Sequence, residues 1–176
     1  MSADGSRIGA TAAALRSLFD QSFSLAAVSK QERLESLLAI RVGADPYVLC
    51  LSQIAGLYAD RKVVAVPSPV PQLLGIAGVR GMMVPVYDLA ALLQYPSAAS
   101  PRWMVVAAGS QPLGFAFENF EAHVQVARAS LVTEEEQAAS AVTTRQHVRG
   151  SIRVAEALRP IIDIASVVET MRKNYS

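Results

Sequence analysis

The sequence predicts a mainly β domain built from two related small modules, preceded by a helical extension over residues 1–33. Three observations carry that prediction. Short runs rich in Val, Ile, Leu and Tyr recur from Leu38 onward, separated by Gly, Pro and Asp, the texture of a small barrel or sandwich. Before Leu38 the apolar residues keep helical spacing, and from Leu38 the period changes to two. A stretch of the first half is echoed in the second.

Taken in order, Ser2 to Gly9 has the composition of a loose terminus, and Thr11 to Phe23 is Ala-rich with Leu15, Leu18 and Phe19 at helical spacing. Ser29-Lys30-Gln31-Glu32 matches a capping box, in which the Glu reaches back to the cap N–H, and predicts a short helix from Arg33 to Leu37. Leu38 to Val42 alternates, Gly43-Ala44-Asp45-Pro46 turns, and Tyr47 to Leu51 runs on as a second strand. Val63 to Val66 is a β-branched run ended by Pro67, Pro69 and Pro71. Met82 to Tyr87 is strand-like, and its Pro85 calls for an edge or a bulge because proline donates no ladder hydrogen bond. Asp88 is placed to cap a short helix, Leu89 to Leu93. Trp103 to Ala108 and Leu113 to Phe117 form another strand pair around Gly109 to Pro112, and Glu134–Glu136 with Ala138–Thr144 suits a solvated loop.

The repeat has three parts. Strand, Gly-x-x-Pro, strand occurs at Gly43–Pro46 and at Gly109–Pro112. Arg80-Gly81 recurs as Arg149-Gly150, and Pro85-Val-Tyr-Asp-Leu-Ala-Ala-Leu-Leu93 is echoed by Pro160-Ile-Ile-Asp-Ile-Ala-Ser-Val-Val168. Each half then contains a strand hairpin followed by a strand and an Asp-capped helical turn, too little by itself to bury a good core.

Composition excludes several classes. With 52% hydrophobic residues the 176-residue chain has the material for a packed core. Lys+Arg 16 against Asp+Glu 15 leaves a net charge of +1, without the basic excess that nucleic acid or anionic lipid would demand. No stretch approaches the roughly 20 apolar residues of a spanning helix, and the N-terminus lacks the basic-then-apolar order of a secretory signal. A single cysteine, Cys50, permits no internal disulfide and fits a reducing compartment, so a cytoplasmic protein is expected.

Enzyme signatures are missing. His123, His147 and Cys50 are scattered, with no paired ligand spacing for zinc, and Cys50 lies inside an apolar strand as a small buried hydrophobe would. The glycines of Gly75-Ile-Ala-Gly78-Val-Arg80-Gly81 precede a strand, whereas a phosphate-binding loop precedes a helix N-terminus; turns and close backbone approach explain them better. Asp88 and Asp163 sit where caps belong rather than as paired acids. No catalytic residue, cofactor or metal is expected. Arg80 stands out: a charge framed by glycines and apolar residues just before a buried-looking strand, able to present a rigid fork of donors to a carboxylate.

The block from Val66 to Leu89, with Gly75-x-x-Gly78-Val79-Arg80-Gly81 followed by Pro85-Val86-Tyr87-Asp88-Leu89, resembles the central signature of the CheW-like family, and weaker likeness covers most of residues 38–170. The resemblance implies two five-stranded β-barrels around a shared core over residues 34–172. It also implies an adaptor linking chemoreceptor cytoplasmic tips to the regulatory domain of a CheA-type histidine kinase. Carried over, Gly75, Val79, Arg80 and Gly81 match motif positions associated with coupling, Ile54 matches an apolar position facing the receptor groove, and Phe120 and His123 fall among groove residues. The chain departs from the pattern at Gly78, where the motif has Asn, at Gly56, where it has an acid, at Glu118, where Asp is usual, and at His123, where the family is apolar. An alternative expectation is a divergent interaction module of a specialised two-component pathway, with altered receptor binding and a partner held by residues 1–33. A small-molecule or enzymatic barrel would need a convergent polar cluster, which the sequence does not offer.

Overall fold

Short β-branched runs and tight Gly turns favour antiparallel ladders, and in a computed structural model all but two of the described ladders are antiparallel. The structure describes residues 34–96, 101–127, 131–132, 146–154 and 157–175. The chain divides into two units, Met1–Arg33 and Leu34–Ser176, and the architecture is that of the second. The helices expected before residue 34 and the loop expected over 134–144 lie outside the described residues.

The strands are β1 (Leu34–Val42), β2 (Asp45–Cys50), β3 (Ile54–Ala59), β4 (Val63–Val64), β5 (Leu73–Val79), β6 (Met82–Asp88), β7 (Trp103–Ala107), β8 (Gly114–Phe117), β9 (Asn119–Ala127), β10 (Leu131–Val132), β11 (Val148–Val154) and β12 (Ala157–Ile162). A 3₁₀ turn spans Leu51–Gln53, helix α1 follows β6 over Leu89–Leu92, and helix α2 covers Ile164–Tyr175. The first six-stranded sheet has the order β10-β11-β12-β2-β1-β9, and the second β4-β5-β6-β8-β7-β3.

Set side by side, the two orders are one pattern. Replacing β4, β5, β6, β8, β7 and β3 by β10, β11, β12, β2, β1 and β9 turns the second sheet into the first. Each sheet therefore takes its hairpin from one half of the chain and its remaining strands from the other. The exchange is made by two short parallel ladders, β6 with β8 (Val86 opposite Gly114) and β12 with β2 (Ile161 opposite Val48). The echoed prolines explain where these begin: Pro85 and Pro160 each precede the first parallel rung, so a missing N–H costs no bond on that side. Pro85 is thus in an interior strand, at the end of one of its ladders. The Arg80-Gly81 and Arg149-Gly150 match does not hold in space. The Asp88 N–H donates to the Gln72 carbonyl and the Asp163 N–H to the His147 carbonyl, both at 2.8 Å. Arg149-Gly150 consequently takes the place of Leu74-Gly75, where both β5 and β11 carry a bulge.

Neither sheet closes into the expected five-stranded barrel: among the described residues no ladder joins β3 to β4 or β9 to β10. The second sheet nonetheless curls. Only Asp60, Arg61 and Lys62 connect the opposite edges β3 and β4, a link of at most roughly 14 Å. Flat, six strands would put those edges roughly 24 Å apart. Each sheet wraps its own small core, Leu37, Ala39, Val48, Cys50, Ile152 and Ile161 in the first, Ala77, Val79, Val84, Val86, Met104, Val106 and Ala116 in the second. Their other faces meet in a larger central core that includes Ile40, Leu49, Val105, Phe115, Phe117 and Ile162, with Leu89 of α1 and Ile164, Val167 and Met171 of α2.

That double burial explains a wrong expectation. Residues 34–37 begin β1 instead of ending a helix, paired with β9 on one side and β2 on the other. Leu37 faces the first sheet's core and Leu38 the central one, so no polar residue marks the strand period. The Asp caps fare differently. Asp88 accepts from the Ala90 N–H at 2.9 Å and the Ala91 N–H at 3.4 Å. Asp163 instead accepts from Gln53 Nε2 at 2.7 Å, while Gln53 Oε1 receives the Ile164 N–H at 3.2 Å. A side chain from the 3₁₀ turn thus satisfies the first turn of α2.

Candidate partner-binding surface

β5 and β6 pair up to Val79 opposite Met82, leaving Arg80-Gly81 as a two-residue turn. Both residues have positive φ, 48° and 80°, the left-handed conformation of a type I′ hairpin. Asn-Gly is the usual pair there; Arg80 accepts about 1–2 kcal/mol of backbone strain. In return, its side chain is exposed on a tight two-residue turn. Arg80 is exposed and has no hydrogen bond or ion pair among the described residues. Gly81 meets nothing within 4 Å of an added Cβ, so its φ alone demands glycine. Gly78 has neither constraint, and a side chain would fit in its place.

Gly75, expected with the coupling residues, is buried in the β5 bulge. A Cβ there would stand 2.1 Å from the Val64 carbonyl oxygen at φ 144°, so its duty is to let β4 approach. Val79 is 3% exposed and anchors the hairpin to the second sheet's core. Met82 and Met83, not singled out from the sequence, flank the turn at 51% and 68% exposure. Their signal was present, because adjacent strand residues point to opposite faces and a Met-Met pair must send one outward.

Ile54, Phe120 and His123 lie elsewhere. Ile54 on β3 is opposite Ala107, and Phe120 on β9 opposite Ile40, both partners in the central core. Odd spacing would put Phe120 and His123 on opposite faces. A bulge at Glu121 resets the phase, so His123 comes opposite Leu38, on the central-core side but exposed at the sheet edge. Trp103, also missed, packs on Phe120 with ring centroids 5.1 Å apart, and Leu57 joins them against the central core. The fold gathers Ile54, Leu57 and Trp103 of the second sheet and Phe120 of the first on that core, and the first three lie on the opposite face of the second sheet from Val79 and Met82. Gly56 is covered by the Tyr58 ring, which a Cβ there would meet at 2.8 Å, and Arg61 lies 5.3 Å from that ring's centre.

In the first sheet two arginines share one carboxylate. The bulged Glu121 receives Arg41 Nε at 2.6 Å and Arg159 Nη1 at 2.5 Å. The Arg159 hydrogen bond holds the Glu121 carboxyl below the usual carboxylate range. Arg149 reaches Cys50 Sγ at 3.6 Å, yet burial pushes the thiol up, the opposite of what a nucleophile needs. His147 Nδ1 lies 3.0 Å from Ser166 Oγ; burial lowers its pKa against the opposing charge of Asp163. Among the described residues no His, Cys, Asp and Glu converge as a metal site, and no helix is long and apolar enough to cross a membrane.

Comparison with known proteins agrees with this architecture. A family model described as the CheW-like domain matches residues 36–172. No curated protein sequence matches the chain. The crystal structure of the scaffolding protein TtCheW from Thermoanaerobacter tengcongensis is similar at a TM-score of 0.63 and 16% identity, over 73% of this chain and 88% of that one. At that identity the likeness concerns the fold.

Proposed function

The chain belongs to the CheW-like domain family, and on that premise we propose that it is a cytoplasmic, non-catalytic adaptor coupling chemoreceptors to a CheA-type histidine kinase. The observation that supports this most is Arg80: a cation on a strained, exposed turn without a partner among the described residues. Strain in a left-handed turn persists where something other than stability favours the residue, and a guanidinium fork suits a partner's carboxylate. Gly81 shapes the turn, and Gly75 and Val79 hold its base. Ile54 and Phe120, with Trp103 beside them, supply an apolar surface for a second contact, and His123 lies at its rim. Affinity would rest on these few anchors rather than on area.

Calorimetric titration of the protein against the regulatory domain of its own organism's CheA-type kinase, and against a receptor-tip fragment, tests the proposal. Micromolar or tighter binding to both is expected, with Arg80→Glu weakening at least one without lowering the melting temperature. A folded protein that binds neither would end the adaptor reading.

A further inference from the structure

Ile54 and Phe120 occupy matched places in the two sheets, each on the rung before a bulge. Ile54 is opposite Ala107 and Gly56 opposite Val106, with Ala55 bulged; Phe120 is opposite Ile40 and Ala122 opposite Ala39, with Glu121 bulged. In β9 the bulge decides which face the ring takes. Ala122 and Val124 lie opposite Ala39 and Leu37, on the side of the first sheet's small core. Strict alternation would put Phe120 on that side with them, and Glu121 on the central-core side with His123. The bulge reverses both, so that Phe120 joins the central core and stacks on Trp103. A phenyl ring is apolar enough for either core, whereas a carboxylate is not. Without the bulge Glu121 would take the ring's place against indole and aliphatic carbon; within it, the carboxylate meets two guanidinium groups.

Those two groups come from different strands. Arg41 of β1 donates Nε at 2.6 Å and Arg159 of β12 donates Nη1 at 2.5 Å, to separate oxygens of the one carboxylate. Arg41 itself pairs with Asn119, beyond the bulge, so its bond to Glu121 spans the irregularity. Arg159 Nε is buried without an acceptor, which leaves the Nη1 bond to Glu121 as its ion pair among the described residues. Bonds between two charged groups are roughly twice as strong as neutral ones. With side chains 27% and 17% exposed, Glu121 and Arg159 are sheltered enough for the bond to hold a geometry. The matched residue of the second sheet, Ala55, offers no carboxylate. There β3 begins at Ile54 itself, whereas β9 keeps both Phe120 and Asn119 in register beyond its bulge. The clamp stands where the longer stretch of strand has to be held.

We propose that Glu121, clamped by Arg41 and Arg159, is a positioning residue: it keeps Phe120 on the apolar surface with Ile54 and Trp103 and so sets how that surface fits a partner. This rests on the adaptor reading and adds a residue to its second contact. Trp103 is the chain's single tryptophan, and its ring centre lies 5.1 Å from that of Phe120, so its emission reports where the phenyl ring sits. The test records Trp103 emission and acrylamide quenching in the full chain, and titrates the chain against a receptor-tip helical hairpin and against the kinase regulatory domain. Phe120→Ala identifies the complex that uses the ring. Glu121→Gln should shift Trp103 emission to the red and weaken that same complex about five-fold or more, leaving the other unchanged. The double variant should bind no more weakly than Phe120→Ala alone, because the clamp acts through the ring. Arg41→Gln, which removes one of the two bonds at an exposed side chain, should act in the same direction to a smaller degree in a protein of near wild-type stability. Wild-type emission and affinity in both clamp variants would overturn this inference and leave the adaptor reading standing. So would additive effects of Glu121→Gln and Phe120→Ala, equal weakening of both complexes, or a Phe120→Ala variant that weakens neither. A wild type that binds neither protein overturns both.

Discussion

The two sheets share one strand order and differ in what they do with charge. In the first, arginine is tied down: Arg41 and Arg159 flank Glu121, and Arg149 reaches Cys50. Both small cores are apolar, and in the second sheet Arg80 stands outside its core on a turn, with no hydrogen bond or ion pair among the described residues. The same ladder thus supports two uses. In the first sheet Arg41 and Arg159 join β1, β9 and β12 through Glu121, while the second keeps its ion pair, Arg102 with Asp60, exposed at the β3–β7 end and leaves Arg80 available to a partner.

The largest test of this contrast is at Gly75. Gly75→Ala drives a Cβ to 2.1 Å from the Val64 carbonyl oxygen at a φ of 144°, and should cost about 3 kcal/mol or more, read by urea unfolding. Gly78→Ala, on the same strand with open space and ordinary φ, should change stability by less than about 0.5 kcal/mol. Equal costs would mean that β4 is not held as described. Next comes Glu121→Gln. It leaves Arg159, 17% exposed at its side chain, short of its carboxylate, and should cost about 1–3 kcal/mol. Because the folded Glu121 carboxyl is held low, its contribution is present above the ordinary glutamate pKa near about 4.3 and is lost as pH falls through the folded value. The variant should therefore lose stability less steeply in acid than the wild type; parallel acid profiles would show that the arginine pair contributes little.

Much of this was legible in the sequence. Gly-x-x-Pro hairpins and the Pro85–Leu93 echo gave the two modules, and Asp88 gave a cap that the structure repeats. The exchange of hairpins between halves was not legible, because a strand's period reports which face is buried and not which neighbour pairs with it. Strands β3 and β9 were passed over for local reasons: Gly56 interrupts the first, and the bulge at Glu121 breaks the alternation of the second. Arg149-Gly150 misled for the converse reason, since a shared dipeptide carries no information on register. Of the surface, Arg80 and Phe120 could be named from the resemblance, whereas Trp103 became visible only once β7 and β9 were brought together.

Arg80→Asn separates a binding residue from an ordinary turn residue. Asn tolerates the left-handed conformation that arginine occupies at φ 48°, so the variant should gain up to about 1 kcal/mol in stability. It should at the same time weaken a partner complex, because the donor fork is gone. Gains in both stability and binding would remove Arg80 from the interface.

The smallest expected effect concerns the matched positions Gln72 and His147, whose carbonyls receive the N–H groups of Asp88 and Asp163. His147 is partly buried beside the first turn of α2, 3.0 Å from Ser166. Burial lowers its pKa more than Asp163 restores it, and the positive end of a helix further disfavours an imidazolium. The unfolded chain therefore binds the proton more readily than the folded one. Stability should be full above about pH 6.5, the ordinary histidine value, and decline as pH falls below it towards the folded value. His147→Gln, which installs the second sheet's residue in the first, should flatten thermal unfolding over that window by less than about 1 kcal/mol while leaving neutral-pH stability near wild type. An unchanged slope would mean that Asp163 compensates for burial, and that here the two halves differ in residue without differing in physics.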